Sequence, residues 1–230
     1  HADKRDDEVK LAGALAKVVE EDESLSYGPN SDTGEMVLRG QGDTHLRIVL
    51  DRLQNRNKLE ISAQLPQVAY KESIRKTISQ HARHKKQSGG HGQFVLVWLE
   101  LEPLPRGEGF AFEESVVGGS VPREYIPAVE KGVVKAMADG AIAGYPIVDV
   151  KATLFDGSYH TVDSSGICFE IAGAAALTRG VQQATPALLE PIMRAKITVP
   201  DEFAGEIIGD LNSKRGRIQG MTPQGNGFTI

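Results

Sequence analysis

The sequence predicts an α+β fold laid out in three successive segments. Three observations lead there. Apolar residues recur at helical spacing in some stretches and in short or alternating runs in others. Prolines mark the joins between blocks, at Pro66, Pro186 and Pro191. Helices and strands are interspersed without an internal repeat, which is the pattern of mixed layers rather than of a solenoid or a bundle.

In the first segment, residues 1–65, a helix is expected over Asp7–Glu21, where Val9, Leu11, Ala12, Leu15, Val18 and Val19 share a face. Tyr27-Gly28-Pro29 ends that pattern, and Asp32-Thr33-Gly34 reads as a turn between two short strands, the second being Glu35–Arg39. A second helix, Asp43–Asn55, presents Leu46, Val49, Leu50 and Leu53, and Leu59–Leu65 reads as a further strand. A sandwich of this order wants a strand before its first helix, so the chain is expected to begin inside a domain.

The second segment, residues 66–187, opens with an extended basic stretch, Val68–Lys86. Ser88-Gly89-Gly90-His91-Gly92 interrupts it, and the apolar strand Phe94–Leu101 follows, so the pair reads as a long hairpin with a glycine-rich tip. A helix over Pro122–Asp139 has Gly140 at its C-cap. Ile147–Phe155 reads as a strand, Asp156–His160 as a tight turn, and Asp163-Ser164-Ser165 as N-cap candidates for a helix reaching Gln183. The loop after the basic strand and the loop after Phe155 are candidates to meet at one end of the domain. The third segment, residues 188–230, offers a strand Ile192–Val199, a helix Asp201–Asn212, and strands Arg217–Met221 and Phe228–Ile230 about the turn Pro223–Gly227. That helix needs more sheet than about 40 residues supply, so this segment is expected to be the start of a domain.

Composition is that of an ordinary globular protein, 40% hydrophobic and 25% charged, and no apolar run approaches the length of a membrane span. A lone cysteine, Cys168, and an N-terminus without a signal-peptide pattern point to the cytoplasm. The formal net charge of −5 argues against a general polyanion binder. Its distribution argues for a directed one. From Lys71 to Gln93 the chain carries Lys71, Arg75, Lys76, Arg83, Lys85 and Lys86 against Glu72 alone, with His81, His84 and His91 besides. A solvated strand edge guarded by lysines is the plainer reading of the same charges.

No Gly-x-x-x-x-Gly-Lys-[Ser/Thr] pattern occurs, so the chain is expected neither to hold nor to hydrolyse GTP in the P-loop manner. Cys168, His160 and Asp163 have the residue types of a nucleophile, a base and its orienting group, but Cys168 lies in an apolar helical run without a glycine elbow. His81 and His84 could ligate a metal only from one face, and their spacing on a strand puts them on opposite faces.

Several motifs resemble those of the elongation factor G family, in family order and over nearly the whole chain. Gly40-Gln41-Gly42-Asp43-Thr44-His45-Leu46 is similar to a helix opening in its third domain. Pro66-Gln67-Val68-Ala69-Tyr70-Lys71-Glu72 and the loop Gln87–Gln93 resemble the start and tip of the fourth. Val121–Val129, Gly144–Val150 and Asp156–Ser165 continue that domain, while Leu189–Met193 and Ile208–Gly216 resemble the opening of the fifth. The resemblance implies a ferredoxin-like third domain lacking its first strand, a fourth domain like ribosomal protein S5 domain 2 with a left-handed crossover, and an incomplete ferredoxin-like fifth domain. It further implies a ribosome-binding portion of a translational GTPase that promotes tRNA–mRNA translocation. Its partners would be the small-subunit decoding region, the tRNA–mRNA duplex, ribosomal RNA and N-terminal GTPase domains in cis. GTP and magnesium would serve the full-length parent and no cofactor this part. The matching RNA-facing positions are Ser88, Gly89, Gly90, His91, Gly92 and Gln93 in one loop, and Gly157, Ser158, Tyr159 and His160 in the other. Arg83, Lys85 and Lys86 would add salt-dependent attraction along the stem. His91 stands where the main translocase usually carries arginine, and His81–Gln87 looks more like a paralogous group, which opens ribosome recycling, back-translocation or ribosome protection as alternative roles.

Overall fold

The structure is a computed structural model that describes residues 7–87, 92–225 and 227–230. It divides into two compact units, residues 1–190 and 191–230.

The first unit holds two separate cores. The smaller is built by α1 (Glu8–Glu21), β1 (Ser26–Pro29), β2 (Met36–Arg39) and α2 (Asp43–Asn57), with β1 and β2 forming an antiparallel ribbon. Leu11 and Leu15 of α1 meet Val49 and Leu53 of α2 because each pair sits about one helical turn apart on its helix. The expected strand Leu59–Leu65 does not form; only Ile61 makes a ladder bridge. Leu59 and Ile61 still pack into this core while Leu65 is 93% exposed, so irregular chain satisfies the burial that suggested a strand. The turn of the ribbon is tied to the next segment by Glu35, which accepts the Gln67 amide at 2.9 Å, and by Asp32, 3.5 Å from the Lys71 ammonium.

The larger core lies under a four-stranded sheet. Its strands are β4 (Ile78–Lys86), β5 (Gln93–Pro103), β6 (Phe110–Glu114) and β7 (Val150–Tyr159), in the order β4-β5-β7-β6. Neighbours are antiparallel except β6 and β7, which are parallel and joined through α3 (Ile126–Asp139), the length of crossover that parallel pairing demands. Along β5, Val95, Val97, Leu99 and Leu101 are fully withdrawn from solvent and alternate with half-buried Leu96, Trp98 and Glu100. One face is therefore packed and the other open. The packed face is covered by α3 and by α4 (Gly166–Gln183). Those two helices touch through glycines: a Cβ on Gly132 would lie 2.0 Å from the Glu170 carbonyl, and one on Gly173 would lie 2.8 Å from that of Val129. Gly140 ends α3 with a φ of 75°, as expected. A separate antiparallel pair, β3 (Lys71–Ile74) with β8 (Pro186–Leu189), closes the base of the domain.

Two buried carboxylates organise loops around this frame. Glu72, wholly buried on β3, accepts amides from Ala141 (2.8 Å), Ile142 (3.1 Å), Ala143 (2.7 Å) and Tyr145 (3.2 Å). Asp149, at a φ of 58°, accepts the amides of Gly107 and Gly109, each at 3.0 Å, and lies 3.4 Å from Arg106 Nη1. Each gives loop amides that have no ladder partner a side-chain acceptor.

The second unit comprises β9 (Thr198–Pro200), a 3-10 turn Asp201–Phe203, α5 (Ala204–Ser213), β10 (Thr222–Gln224) and β11 (Gly227–Thr229), in the sheet order β10-β11-β9. The strands are shorter than the sequence suggests: Ile192–Ile197 and Arg217–Met221 lie outside them. Ile192 and Met193 are 98% and 88% exposed, so their apolar character reports no core position here.

Burial alone would raise the Glu72 pKa, but the four amides that its carboxylate accepts outweigh that effect and hold it below the ordinary glutamate value. Its stabilising contribution is therefore present above that ordinary value and lost as pH falls through the lower folded one. Glu72→Gln is expected to cost about 2–3 kcal/mol at neutral pH, since charged acceptors are worth more than neutral ones. Denaturant midpoints of wild type and variant, compared at neutral pH and on acidification below the ordinary glutamate range, should converge as the medium becomes acid. A constant gap across that range would contradict a charge-dependent role.

Candidate nucleic-acid interface

The candidate site lies at the far end of the β4–β5 hairpin. The register runs unbroken from Ile78 opposite Leu101 to Lys86 opposite Gln93. Directly opposed residues share a face, so His81, Arg83 and Lys85 lie on the open face with Trp98, Leu96 and Phe94. His84 and Lys86 lie on the other face. His81 and His84 are thus on opposite faces, as the spacing requires, and His84 Nε2 instead lies 2.8 Å from Gln93 Oε1. Ser88, Gly89, Gly90 and His91 lie outside the described residues. Gly92 and Gln93, at the root of β5, lie within them.

The second loop does not start where the sequence suggests. Asp156–Tyr159 is not a tight turn but the last part of β7, with Gly157 opposite Val97, Ser158 opposite Leu96 and Tyr159 opposite Val95. The register shifts between Trp98 and Leu99, so Phe155 is an extra residue and the strand bulges there. The bulge lets β7 continue beside β5 past the point where aspartate and glycine signal a turn. Gly157 has a packing reason: a Cβ would lie 2.4 Å from Val121 Cγ2 and 2.7 Å from the Leu96 carbonyl. The real turn is Thr161–Asp163, and it leaves Val162 61% exposed.

That turn is fastened to the root of the first loop. Asp163 Oδ1 accepts the Gly92 amide at 3.1 Å, and the Asp163 carbonyl accepts the Phe94 amide at 3.0 Å. Ser164 donates its hydroxyl to the Phe94 carbonyl at 2.6 Å and accepts the His160 amide at 2.8 Å. His160 Nδ1 accepts the Val162 amide at 3.3 Å and lies 3.6 Å from Asp163 Oδ2, which leaves Nε2 of this 58%-exposed side chain directed away from those partners. Asp163 and Ser164, read from sequence as N-cap candidates, are the residues that hold the two loops together. A polar pair ahead of a helix gives no sign of a partner 70 residues earlier. Ser165 occupies the N-cap itself, and its hydroxyl is 3.1 Å from Cys168 Sγ. Cys168 is 1% exposed inside the main core, packed among apolar side chains, and so has no access to an external substrate.

Electrostatically the stem is one-sided. Among the described residues Arg83, Lys85 and Lys86 have no carboxylate within ion-pair distance, whereas Lys131, Lys151 and Lys214 each do. Unpaired cations on a rigid strand keep their field for an external anion. No group of His, Cys, Asp and Glu among the described residues could hold a metal ion, and no helix there is long and apolar enough to cross a membrane.

The class of protein follows from this architecture together with the family comparisons. Residues 66–185 match the model of elongation factor G domain IV, residues 1–64 that of domain III, and residues 187–230 that of the elongation factor G C-terminus. The chain belongs to the elongation factor G family. A crystal structure of a protein from Thermus thermophilus is similar to it, with 41% identity and a TM-score of 0.83. The match covers 100% of this chain and 34% of that one, so the chain spans about a third of the length of its solved relative.

Asp163→Ala should speed hydrogen exchange at the Gly92 amide about five-fold, the equivalent of one ordinary hydrogen bond of ~1 kcal/mol. Asp163→Asn, which keeps an acceptor at Oδ1, should retain most of the protection. Residue-resolved exchange by NMR checks both, and equal exchange in wild type and Asp163→Ala would show that the clip does not hold.

Proposed function

We propose that this chain is the ribosome-facing part of a translational GTPase, and that the fastened loop pair at the end of the β4–β5 hairpin meets RNA at the decoding side of the small subunit during tRNA–mRNA translocation. One observation carries the reading: an uncompensated basic strand ends where two loops are joined by Asp163 and Ser164. The contacting groups would be Ser88, Gly89, Gly90, His91, Gly92 and Gln93 in one loop, and Ser158, Tyr159 and His160 beside them. Glycines let the backbone come close, His160 donates to phosphate or ribose, and Arg83, Lys85 and Lys86 attract the backbone of the nucleic acid. Gly157 acts through the sheet rather than by contact. GTP and magnesium would be handled by N-terminal domains of the intact factor, which would act in the cytoplasm.

A second role in the same family, in ribosome recycling, back-translocation or ribosome protection, is favoured by one sequence observation. His91 stands where the main translocase usually carries arginine, after the run His81–Gln87 that looks more like a paralogous group. Pre-steady-state assays of the intact factor on ribosomes separate these readings. If the tip moves tRNA, His160→Ala slows movement at least ~10-fold, about 1.4 kcal/mol of barrier, and leaves GTP hydrolysis within a factor of about two. Equal loss of both rates would sink the tip role. Normal hydrolysis without tRNA movement in the wild-type factor, together with subunit splitting, would establish the recycling alternative.

A further inference from the structure

The open face of the sheet carries a second feature, away from the loop pair. His81, Arg83, Leu96, Trp98 and Arg179 line a shallow hollow of about 500 Å³. Its floor is aromatic: the Trp98 indole lies 4.3 Å from the His81 ring at 34°, and 6.1 Å from the Phe155 ring on its other flank. The bulge in β7 puts Phe155 there, as the extra residue between the Trp98–Asp156 and Leu99–Leu154 pairs. Its rim is cationic. Arg83 rises from β4, the edge strand, and Arg179 comes from α4 in the covering layer to line the same hollow. Both arginines are exposed, neither is ion-paired among the described residues, and no carboxylate lines the hollow. Two carboxylates share the open face: Glu100 on β5, opposite Ser79 and one rung-pair along from Trp98, and Asp156 on β7, opposite Trp98; the cations of the hollow stand on the β4 side.

We propose that this hollow binds an unpaired nucleotide of RNA, its base on the Trp98–His81 platform and its phosphodiester between Arg83 and Arg179. A flat ring beside two free guanidinium groups matches a base joined to a phosphate. Stacking accepts any base, and guanidinium groups pair phosphate oxygens in a forked geometry that lysine lacks. An aliphatic or acidic protein segment would use the charge and leave the ring platform unmatched. The inference rests on the preceding reading's premise that this domain meets RNA and shares Arg83 with its basic stem; it adds a stacking platform away from the loop pair and a residue, Arg179, outside that stem.

Trp98 is the only tryptophan in the sequence, so its emission reports on this hollow alone. The test titrates the 230-residue chain with a single-stranded RNA hexamer and follows both Trp98 emission and the anisotropy of a fluorescein-labelled copy. The expected result is saturable quenching that Arg179→Ala weakens about five- to ten-fold, with the log–log salt slope reduced in magnitude by about 0.7, one phosphate contact on a single strand. Trp98→Phe, read by anisotropy, should weaken binding less than Trp98→Leu does. His160→Ala should leave the quenching intact, so loss of the tip role and loss of this site are told apart. Absence of quenching at about 1 mM hexamer, weaker than ordinary non-specific binding, would overturn the proposal. So would quenching indifferent to Arg179→Ala, or equal quenching by a hexaglutamate peptide, which would make the hollow a protein-binding surface.

Discussion

The arrangement rests on the inner face of β5. Val95, Val97, Leu99 and Leu101 are each fully buried, and a shift of one residue would expose all four while burying Trp98, Glu100 and Glu102. Register slippage is thereby excluded by several kcal/mol of apolar burial, at about 25 cal/mol per Å². Every other placement inherits this one. Because β4 pairs with β5 without interruption, the fixed face of β5 decides which side His81, Arg83 and Lys85 occupy. Because β7 pairs on the opposite edge, it also decides where the chain emerges at Tyr159.

A rigid stem only matters if its end is held. Hairpin ends fray, and a loop tethered at two points a few ångströms apart samples many conformations. Here the end is braced from the side by the turn after β7, through one side-chain acceptor on Asp163 and one hydroxyl on Ser164. The brace closes onto Gly92 and Phe94, close behind the tip. It thus fixes Gly92, where the glycine-rich loop rejoins β5, through a backbone amide. Loops supported in this way on a sheet keep their sequence free for recognition, which is why binding segments so often sit at the ends of rigid elements.

Much of this is legible from residues. The apolar strand β5, the opposition of His81 and His84 and the glycine cap of α3 follow from strand and helix geometry. The parts that escape share a cause: they depend on contacts distant in sequence. Asp156-Gly157 carries turn residues, yet the bulge at Trp98 and the close approach of Val121 and Leu96 make it strand. Asp163 reads as a helix cap because local patterns reward that reading, whereas its carboxylate is used by Gly92. Leu59 and Ile61 look like strand residues because they are buried, and burial needs no ladder. Arg179 cannot be joined to Arg83 from the sequence, since only the layering of α4 over the edge strand brings them to one hollow.

The charge distribution gives the two surfaces a common logic. The chain is acidic overall, with a formal net charge of −5, so at long range it gains nothing from approaching a polyanion in an arbitrary orientation. At physiological ionic strength charges are felt over roughly 8 Å. Within that distance β4 and the adjoining arginine of α4 form a cationic strip, while Lys151, between Glu102 at 3.3 Å and Glu113 at 2.9 Å, is neutralised towards the opposite edge. Within this sheet the attraction therefore lies along the β4 edge and is felt when that edge faces the anion. On the function proposed above, net repulsion with a local attractive edge suits docking on RNA in one orientation better than a uniformly basic surface does. A uniform surface would bind RNA wherever it met it.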